Sequence, residues 1–197
     1  KAVDDEFVKA MVAAGTFYCP TLTVRDGYLM LYRGKLSDEV KSQLDAVHPS
    51  VRDRALRTEQ LKPRNPRVLE GTQKALAMQR QTMNANLVAL HEAGVRVVLG
   101  TDAGNPLTLH GPSIFVELEA MQAAGMKASA VLVAATRDAA QAMGRGQDLG
   151  RIAEGCIADL LVLPADPEQD VLAFRSLTHV LRGGHLHERE ALLPRGP

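Results

Sequence analysis

The chain has 197 residues, 46% of them hydrophobic and 23% charged, and its 23 basic and 23 acidic side chains cancel. Such a length and apolar content suit one ordinary core or slightly more, and exclude a disordered or collagen-like chain. Zero net charge gives no electrostatic footprint for nucleic acid or an anionic membrane, and the longest apolar runs fall far short of the roughly 20 residues that a membrane-spanning helix needs.

Residues 4–14 read as a short helix with Phe7, Val8, Met11 and Val12 on one face, ended by Gly15. Phe17-Tyr18-Cys19 is a β-prone run stopped by Pro20. Residues 25–67 are less regular and broken by Pro49, Pro63 and Pro66; Ser37 is placed to cap a helix carrying Val40, Leu44 and Val47. This stretch reads either as helices laid over a larger body or as a mobile lid. From Val68 onward Leu69, Leu76, Met83, Leu87 and Leu90 recur at helical spacing up to Gly94. The β-branched run Val95–Leu99 then predicts a buried, parallel strand covered on both faces. Pro112 is suited to open the next helix, with Ile114, Leu118 and Met121 on one face, and a further Ala-rich helix spans 129–143. Met78, Met83, Met121, Met126 and Met143 read as core filler. After Gly144 the segments 150–152, 158–163 and 178–181 predict a small β layer.

Cys19 and Cys156 lie far apart and lack a CxxC or flanking histidine pattern, so free thiols in a reducing, cytoplasmic compartment are expected rather than a disulfide or a metal–thiolate site. The chain opens on Lys1, and the polar stretch 1–6 lacks the apolar core of a signal peptide, which reads as a fragment or a processed product.

Chemistry concentrates at Gly100-Thr101-Asp102-Ala103-Gly104, where the buried strand ends. A carboxylate at such a strand end is partly desolvated and can serve as a general base or a metal ligand. The same aspartate can equally be the N-cap of the next helix. His110 follows in the same loop, within reach of the same pocket. His185-Leu186-His187 is an HxH whose rings share one side of a strand, as a metal pair requires; its place near the C-terminus favours a surface strand. His48, His91 and His179 read as surface, groove or structural residues, and Asp159 as a turn residue of the β layer.

The order Phe17–Leu22 (FYCPTL), Val97–Gly104 (VVLGTDAG), His110-Gly111, Glu117-Leu118, Ala124-Gly125-Met126, Thr136, Leu149–Ile152, Gly155, Ala158–Leu160 and Gly183-Gly184 resembles the amidohydrolase superfamily. It is most similar to the branch of imidazolonepropionase-like and Xaa-Pro dipeptidase (prolidase)-like hydrolases. The likeness covers most of 4–187 and is weakest over 25–67. Cys156 stands where the family commonly has Lys or Arg, and Lys127-Ala128 where it often has Thr-Pro before a helix.

The resemblance implies an α/β fold: a partial TIM (β/α)8 barrel in 1–147, with FYCPTL and VVLGTDAG as strands seven and eight, and the C-terminal part of a small β-sandwich in 148–197. It implies a metal-dependent hydrolase of a C–N bond in an amide or peptide. Asp102 would contact a divalent metal, zinc as one or two ions in the full enzyme, and shuttle the proton of the bound water. His110 would line the pocket of a small-molecule substrate, a dipeptide or a cyclic amide. The family's HxH pair, its bridging residue and its two later histidines would all precede Lys1, so the chain is expected to be incomplete as an enzyme. Unpaired strand edges would favour self-association or a homo-oligomer. The alternatives are a deaminase or imidazolonepropionase-type ring hydrolase, and a non-catalytic fragment or subunit.

Overall fold

A computed structural model of the chain describes residues 2–194, which form a mixed α/β assembly. Helix α1 (Asp5–Ala13) is entered through Asp4, whose carboxylate accepts the Phe7 N–H, and it ends at Gly15 in the left-handed conformation. Its apolar face is only half covered: Val8 and Met11 are half-buried, while Phe7 and Val12 are exposed. Strand β1 (Phe17–Tyr18) lies parallel to β2 (Arg96–Val97), with Phe17 opposite Arg96 and Tyr18 opposite Val97.

The parallel direction agrees with the β-branched run, but cover on both faces does not hold. Val95 and Val97 are buried, whereas Arg96 between them is exposed and lays its guanidinium over the Phe17 ring. Strand side chains alternate in direction, and the core meets one face. That core joins Val97 to Leu22, to Leu87 of α5 (Pro66–Glu92), to Leu118 and Met121 of α6 (Ser113–Ala123), and to Val131 and Ala134 of α7 (Ala128–Ala135).

The stretch after β1 is a packed helical layer with its own core. It comprises α2 (Val24–Arg33), α3 (Asp38–Ser42) and α4 (Pro49–Leu56). Ser37 caps α3 as its position predicts, its hydroxyl accepting the Val40 N–H at 3.2 Å. Val40, Leu44 and Val47 are buried with Met30, Leu36, Ala55 and Leu109. Leu109 belongs to the loop after β2, so this layer closes on that loop. His48 opens α4, its Nδ1 accepting the Ser50 N–H. An Arg80–Asp26 ion pair at 2.9 Å ties α5 to α2.

Several expectations are corrected. The buried face of α6 is Ser113, Glu117, Leu118 and Met121, and Ile114 is exposed. The single helix over 129–143 is two, α7 and α8 (Arg137–Ala142), broken at Thr136. The break follows from competition for carbonyls: the Leu99 N–H, just past β2, donates to the Ala134 carbonyl at 3.1 Å, and the Thr136 hydroxyl donates to the Leu132 carbonyl at 2.7 Å. Met121 and Met126 are core, but Met78 and Met143 are exposed and fill nothing. Lys127, at the N-cap of α7, makes no side-chain capping bond.

The tail is an antiparallel sheet of β3 (Leu160–Val162), β4 (His179–Arg182) and β5 (His185–Glu188). Gly150–Ile152 is not a strand; it bends with no strand partner among the described residues, and Ile152 is exposed. Gly183 and Gly184 are both left-handed, as a two-residue hairpin demands. The Asp159 carboxylate accepts the Gly183 N–H at 2.7 Å and pairs with Arg182, a turn role rather than a catalytic one. Between β3 and β4 a tight helical turn over Val171–Ser176 sends Val171 and Phe174 into the main core. There Arg175 bridges Glu119 of α6 at 2.5 Å and Glu39 of α3 at 2.7 Å. No helix among the described residues is long and apolar enough to cross a membrane.

The loop after β2 is seated on α2 through a glycine. Gly27 of α2 is buried, and a Cβ there would strike the carbonyl group of Pro106 in that loop. Because the obstacle is backbone, Gly27→Ala is expected to destabilise the chain by about 1–3 kcal/mol in urea unfolding; an unchanged midpoint would show that the loop does not rest on α2.

Candidate active site

The chain leaves both parallel strands at their C-terminal ends through strained turns. Among the described residues, the non-glycine residues with positive φ are Thr21 (43°), Asp102 (54°) and Leu107 (58°). Thr21 follows β1, and the other two lie in the loop after β2. Such a conformation costs on the order of 1–3 kcal/mol per residue and persists only where the surroundings over-determine it.

Those surroundings are specific. Beside Thr21, the Leu22 N–H donates to Glu117 Oε1 at 2.6 Å, and the Thr23 N–H and hydroxyl donate to Glu117 Oε2 at 2.9 and 2.8 Å. Glu117 is completely buried. Burial raises its carboxyl above the ordinary range, against the Leu22 and Thr23 hydrogen bonds and the Arg80 charge that pull it down. Beside Asp102, the Asp102 carbonyl accepts the backbone N–H of Asn105 at 3.3 Å and the Asn105 side-chain amide at 3.1 Å. Asn105 Oδ1 in turn accepts the Tyr28 hydroxyl of α2 at 2.9 Å. Leu107 is packed against the core of the helical layer.

Asp102 is exposed, and its carboxylate has no hydrogen-bond or ion-pair partner among the described residues. It does not cap the next helix, because α6 begins only at Ser113. It lines a groove of about 640 Å³ between α2 and α5. His110 is exposed in the same loop and folds back over Gly104, where a Cβ would lie 3.6 Å from its Nε2. It lines a different cavity, of about 390 Å³, between the loop and α4; Asn105 borders both. The two predicted site residues therefore share a loop and occupy its opposite sides.

Cys19 packs its sulfur against Gly100, where a Cβ would come within 2.5 Å. Desolvation, then the Glu117 and Asp102 carboxylates, push the Cys19 thiol up, so it is kept from being a thiolate nucleophile. Tyr18 is raised as well, first by burial and then by Cys19 and Glu117.

Asp102 offers one ligand, and no group of three or more His, Cys, Asp or Glu side chains converges among the described residues. A catalytic zinc takes about three protein ligands, so these residues do not by themselves fit a metal. The HxH on β5 is exposed, His185 opposite Arg182 and His187 opposite Val180.

Glu117, Asn105 and Tyr28 are not singled out for a site role by sequence reasoning. Only Glu117 leaves a signal: it is an acid at i+3 from Ile114 and i−4 from Met121, on a face predicted to be apolar. Its raised carboxyl binds protons more readily in the folded chain, so its contribution to stability is present below the ordinary glutamate range and is lost as pH rises through the elevated value. Hence the stability difference between wild type and Glu117→Gln should shrink as pH is raised from about 4 toward neutrality; a difference that grows with pH in urea titrations would contradict the burial argument.

A family model described as the amidohydrolase family matches residues 5–186. An imidazolonepropionase from Chromobacterium violaceum is 42% identical over 86 residues, 42% of this chain and 20% of that protein. An ochratoxinase from Aspergillus niger is 34% identical over 110 residues, 53% of this chain and 22% of that protein. Among solved structures, a Xaa-Pro dipeptidase superimposes with a TM-score of 0.64 at 22% identity, over 94% of this chain and 38% of its own. A bottromycin amidohydrolase does so with a TM-score of 0.64 at 28% identity, over 96% and 43%. The chain thus spans about a fifth of the length of these curated relatives and about two fifths of these solved chains. With a match running through both parallel strands and the loop of Asp102 into the tail sheet, and with an imidazolonepropionase and a Xaa-Pro dipeptidase among the proteins it is similar to, the chain belongs to the amidohydrolase family.

Proposed function

We propose that the chain supplies the proton-transfer side of a metal-dependent hydrolase that cleaves a C–N bond of an amide or peptide, with Asp102 as the catalytic carboxylate. The observation that carries this reading is Asp102 itself, an unpaired carboxylate in a left-handed conformation at the C-terminal end of a parallel strand, lining a groove. In α/β folds such strand ends are where active-site loops gather. Asp102 would hold the proton of the attacking water on a carboxylate oxygen and deliver it to the leaving nitrogen. His110 would contact substrate from the other side of the loop. In this reading β1 and β2 are the seventh and eighth strands of a (β/α)8 barrel, to which 1–147 belong, and 148–197 belong to a small β-sandwich. The likeness to solved amidohydrolases over nearly the whole chain supports it. In the same reading the molecule is a part of a larger active site, and its self-association when alone is a further expectation.

The family is generally metal-dependent, which supports a divalent cation. Zinc, as one or two ions touching Asp102, is the proposed form, with the remaining ligands outside the described residues. A small-molecule substrate, a dipeptide or a cyclic amide, is proposed; the imidazolonepropionase similarity favours the cyclic amide as the second reading.

Two measurements test this. In the full-length enzyme, Asp102→Asn is expected to lower turnover at least about 10²-fold, and wild-type turnover would remove Asp102 from the reaction. The 197-residue chain alone should carry far less than one zinc per molecule by elemental analysis after dialysis, since three ligands do not converge in it; stoichiometric zinc would overturn the division of ligands.

A further inference from the structure

A face of α2 other than the one that meets Asp102 lines a recess of about 370 Å³, closed by α3, the loop after β2 and α6. Its walls hold four buried polar residues, Thr23, Gln43, Thr108 and Ser113. Two are satisfied: the Thr23 hydroxyl donates to Glu117 Oε2 at 2.8 Å, and the Ser113 hydroxyl donates to the Leu109 carbonyl at 2.6 Å. The other two are not. Gln43 Nε2 donates to Glu39 Oε1, and a carboxylate only accepts, so the nitrogen is the end that faces it. The Gln43 side-chain oxygen is thereby turned elsewhere and accepts no hydrogen bond among the described residues. Thr108 spends its backbone inside the loop, its N–H donating to the Asn105 carbonyl at 3.0 Å and its carbonyl accepting the Gly104 N–H at 3.2 Å. Its hydroxyl has no partner among the described residues. Gln43 and Thr108 are each only 7% exposed. Yet neither oxygen is sealed: among the described residues, the side-chain atom that is both sealed and unpartnered is Asn84 Oδ1. The two oxygens therefore open into accessible space, which for residues this deep is a cavity they line. Thr108 also borders the cavity of His110, and Gln43 does not.

The rest of the lining limits what fits. Gly27, Met30, Val40 and Leu107 supply apolar surface. The charged side chains are already engaged: Asp26 pairs with Arg80 at 2.9 Å, Glu39 with Arg175 at 2.7 Å, and Arg33 Nε donates to the Gln73 side-chain oxygen at 3.1 Å. A charged ligand would be desolvated there without a free counter-charge. We propose that this recess is a second binding site, for a neutral molecule with an apolar body and an amide head, whose N–H donates to Gln43 Oε1 and whose oxygen accepts from the Thr108 hydroxyl. Recesses of this order of volume suit small molecules. The bound molecule would rest on Gly27 and Leu107, where α2 meets the loop of Asp102, so its binding steadies that loop without touching Asp102. The site is thus regulatory in character, and it does not depend on Asp102 being catalytic.

The test follows hydrogen–deuterium exchange of the 197-residue chain against three probes: 3-phenylpropionamide, its N,N-dimethyl amide, which lacks the donor, and 3-phenylpropionate, which is charged. The primary amide is expected to slow exchange saturably in 23–43 and 104–116, and the other two to bind at least about fivefold more weakly. Gln43→Met should weaken the primary amide by a similar factor and remove its advantage over the dimethyl amide. Thr108→Val should weaken it as well while leaving the urea midpoint unchanged or higher, because the hydroxyl it removes is unpartnered. A lowered midpoint would show that hydroxyl to be engaged already and would overturn the site. So would equal binding of the three probes, an unchanged affinity in Gln43→Met, or the absence of saturable slowing. Slowing confined to 51–58 and 104–110 would move the ligand to the cavity of His110 and overturn it too. Asp102→Asn should leave the affinity for the primary amide as it is, and a loss there would refute the independence of the two sites.

Discussion

The arrangement of this site depends on one buried carboxylate. Glu117 projects from α6, yet its three hydrogen bonds reach back to Leu22 and Thr23, the residues that follow β1. Those donors would otherwise be unpaired inside a core, since Leu22 and Thr23 are both buried. The carboxylate therefore replaces, on the far side of about 95 residues of chain, the ladder partners that a strand loses when it turns. It also fixes where α2 starts, because α2 begins at Val24, immediately after the captured residues. Gly27 and Tyr28, which meet the loop of Asp102 from α2, inherit their position from this clamp. The energetics run both ways. Desolvation outweighs the donors and raises the carboxyl, while three donors that have no other partner make removal of the side chain expensive as well.

Two carboxylates thus meet at the ends of two adjacent strands in opposite environments. Glu117 is sealed in and saturated with donors; Asp102 is open to the groove, and its carboxylate is unengaged. What is held at Asp102 is the backbone. Its carbonyl is bound twice by Asn105, Asn105 is bound by Tyr28, and Pro106 rests against Gly27. The strain of a left-handed aspartate is sustained by contacts to the main chain, which leaves the side chain free for exchange of a proton or a ligand. A group whose task is to change its charge benefits from fixed placement without saturating partners, and the difference between the two acids is the physical ground for giving them different roles.

The parts of this structure that were legible in the sequence are those set by local rules. Ser37 at a helix start, Gly15 and Gly94 at helix ends and the parallel β2 all follow from spacing and turn chemistry. The failures have a common cause in tertiary competition. The Ala-rich run from 128 to 142 has no intrinsic reason to break at Thr136, but a strand end takes the Ala134 carbonyl. Ile114 has the right spacing for the core and loses it because Glu117, three residues on, has partners to reach. In the site, the position of Asp102 was readable from its motif, while the Tyr28–Asn105 bracket was not. It joins segments about 77 residues apart, and no periodicity encodes a pairing at that distance.

A parallel pair of two short strands is not a sheet that stands on its own, since parallel sheets are normally covered on both faces and built from more strands. Arg96 and the exposed Phe7 and Val12 show how much of this surface is open. Yet the contacts that fix the loop of Asp102 all lie within the chain: Glu117 to Leu22 and Thr23, Tyr28 to Asn105, Gly27 against Pro106, Leu107 and Leu109 in the core of the helical layer. Convergence of metal ligands is a different matter, because one carboxylate does not make a site. The conformation of the loop of Asp102 and the completeness of the proposed metal centre are therefore separable properties. Preorganisation of Asp102 is local and is carried by a few hydrogen bonds and one helix–loop contact, so a complete active site would be assembled around a carboxylate already set in place.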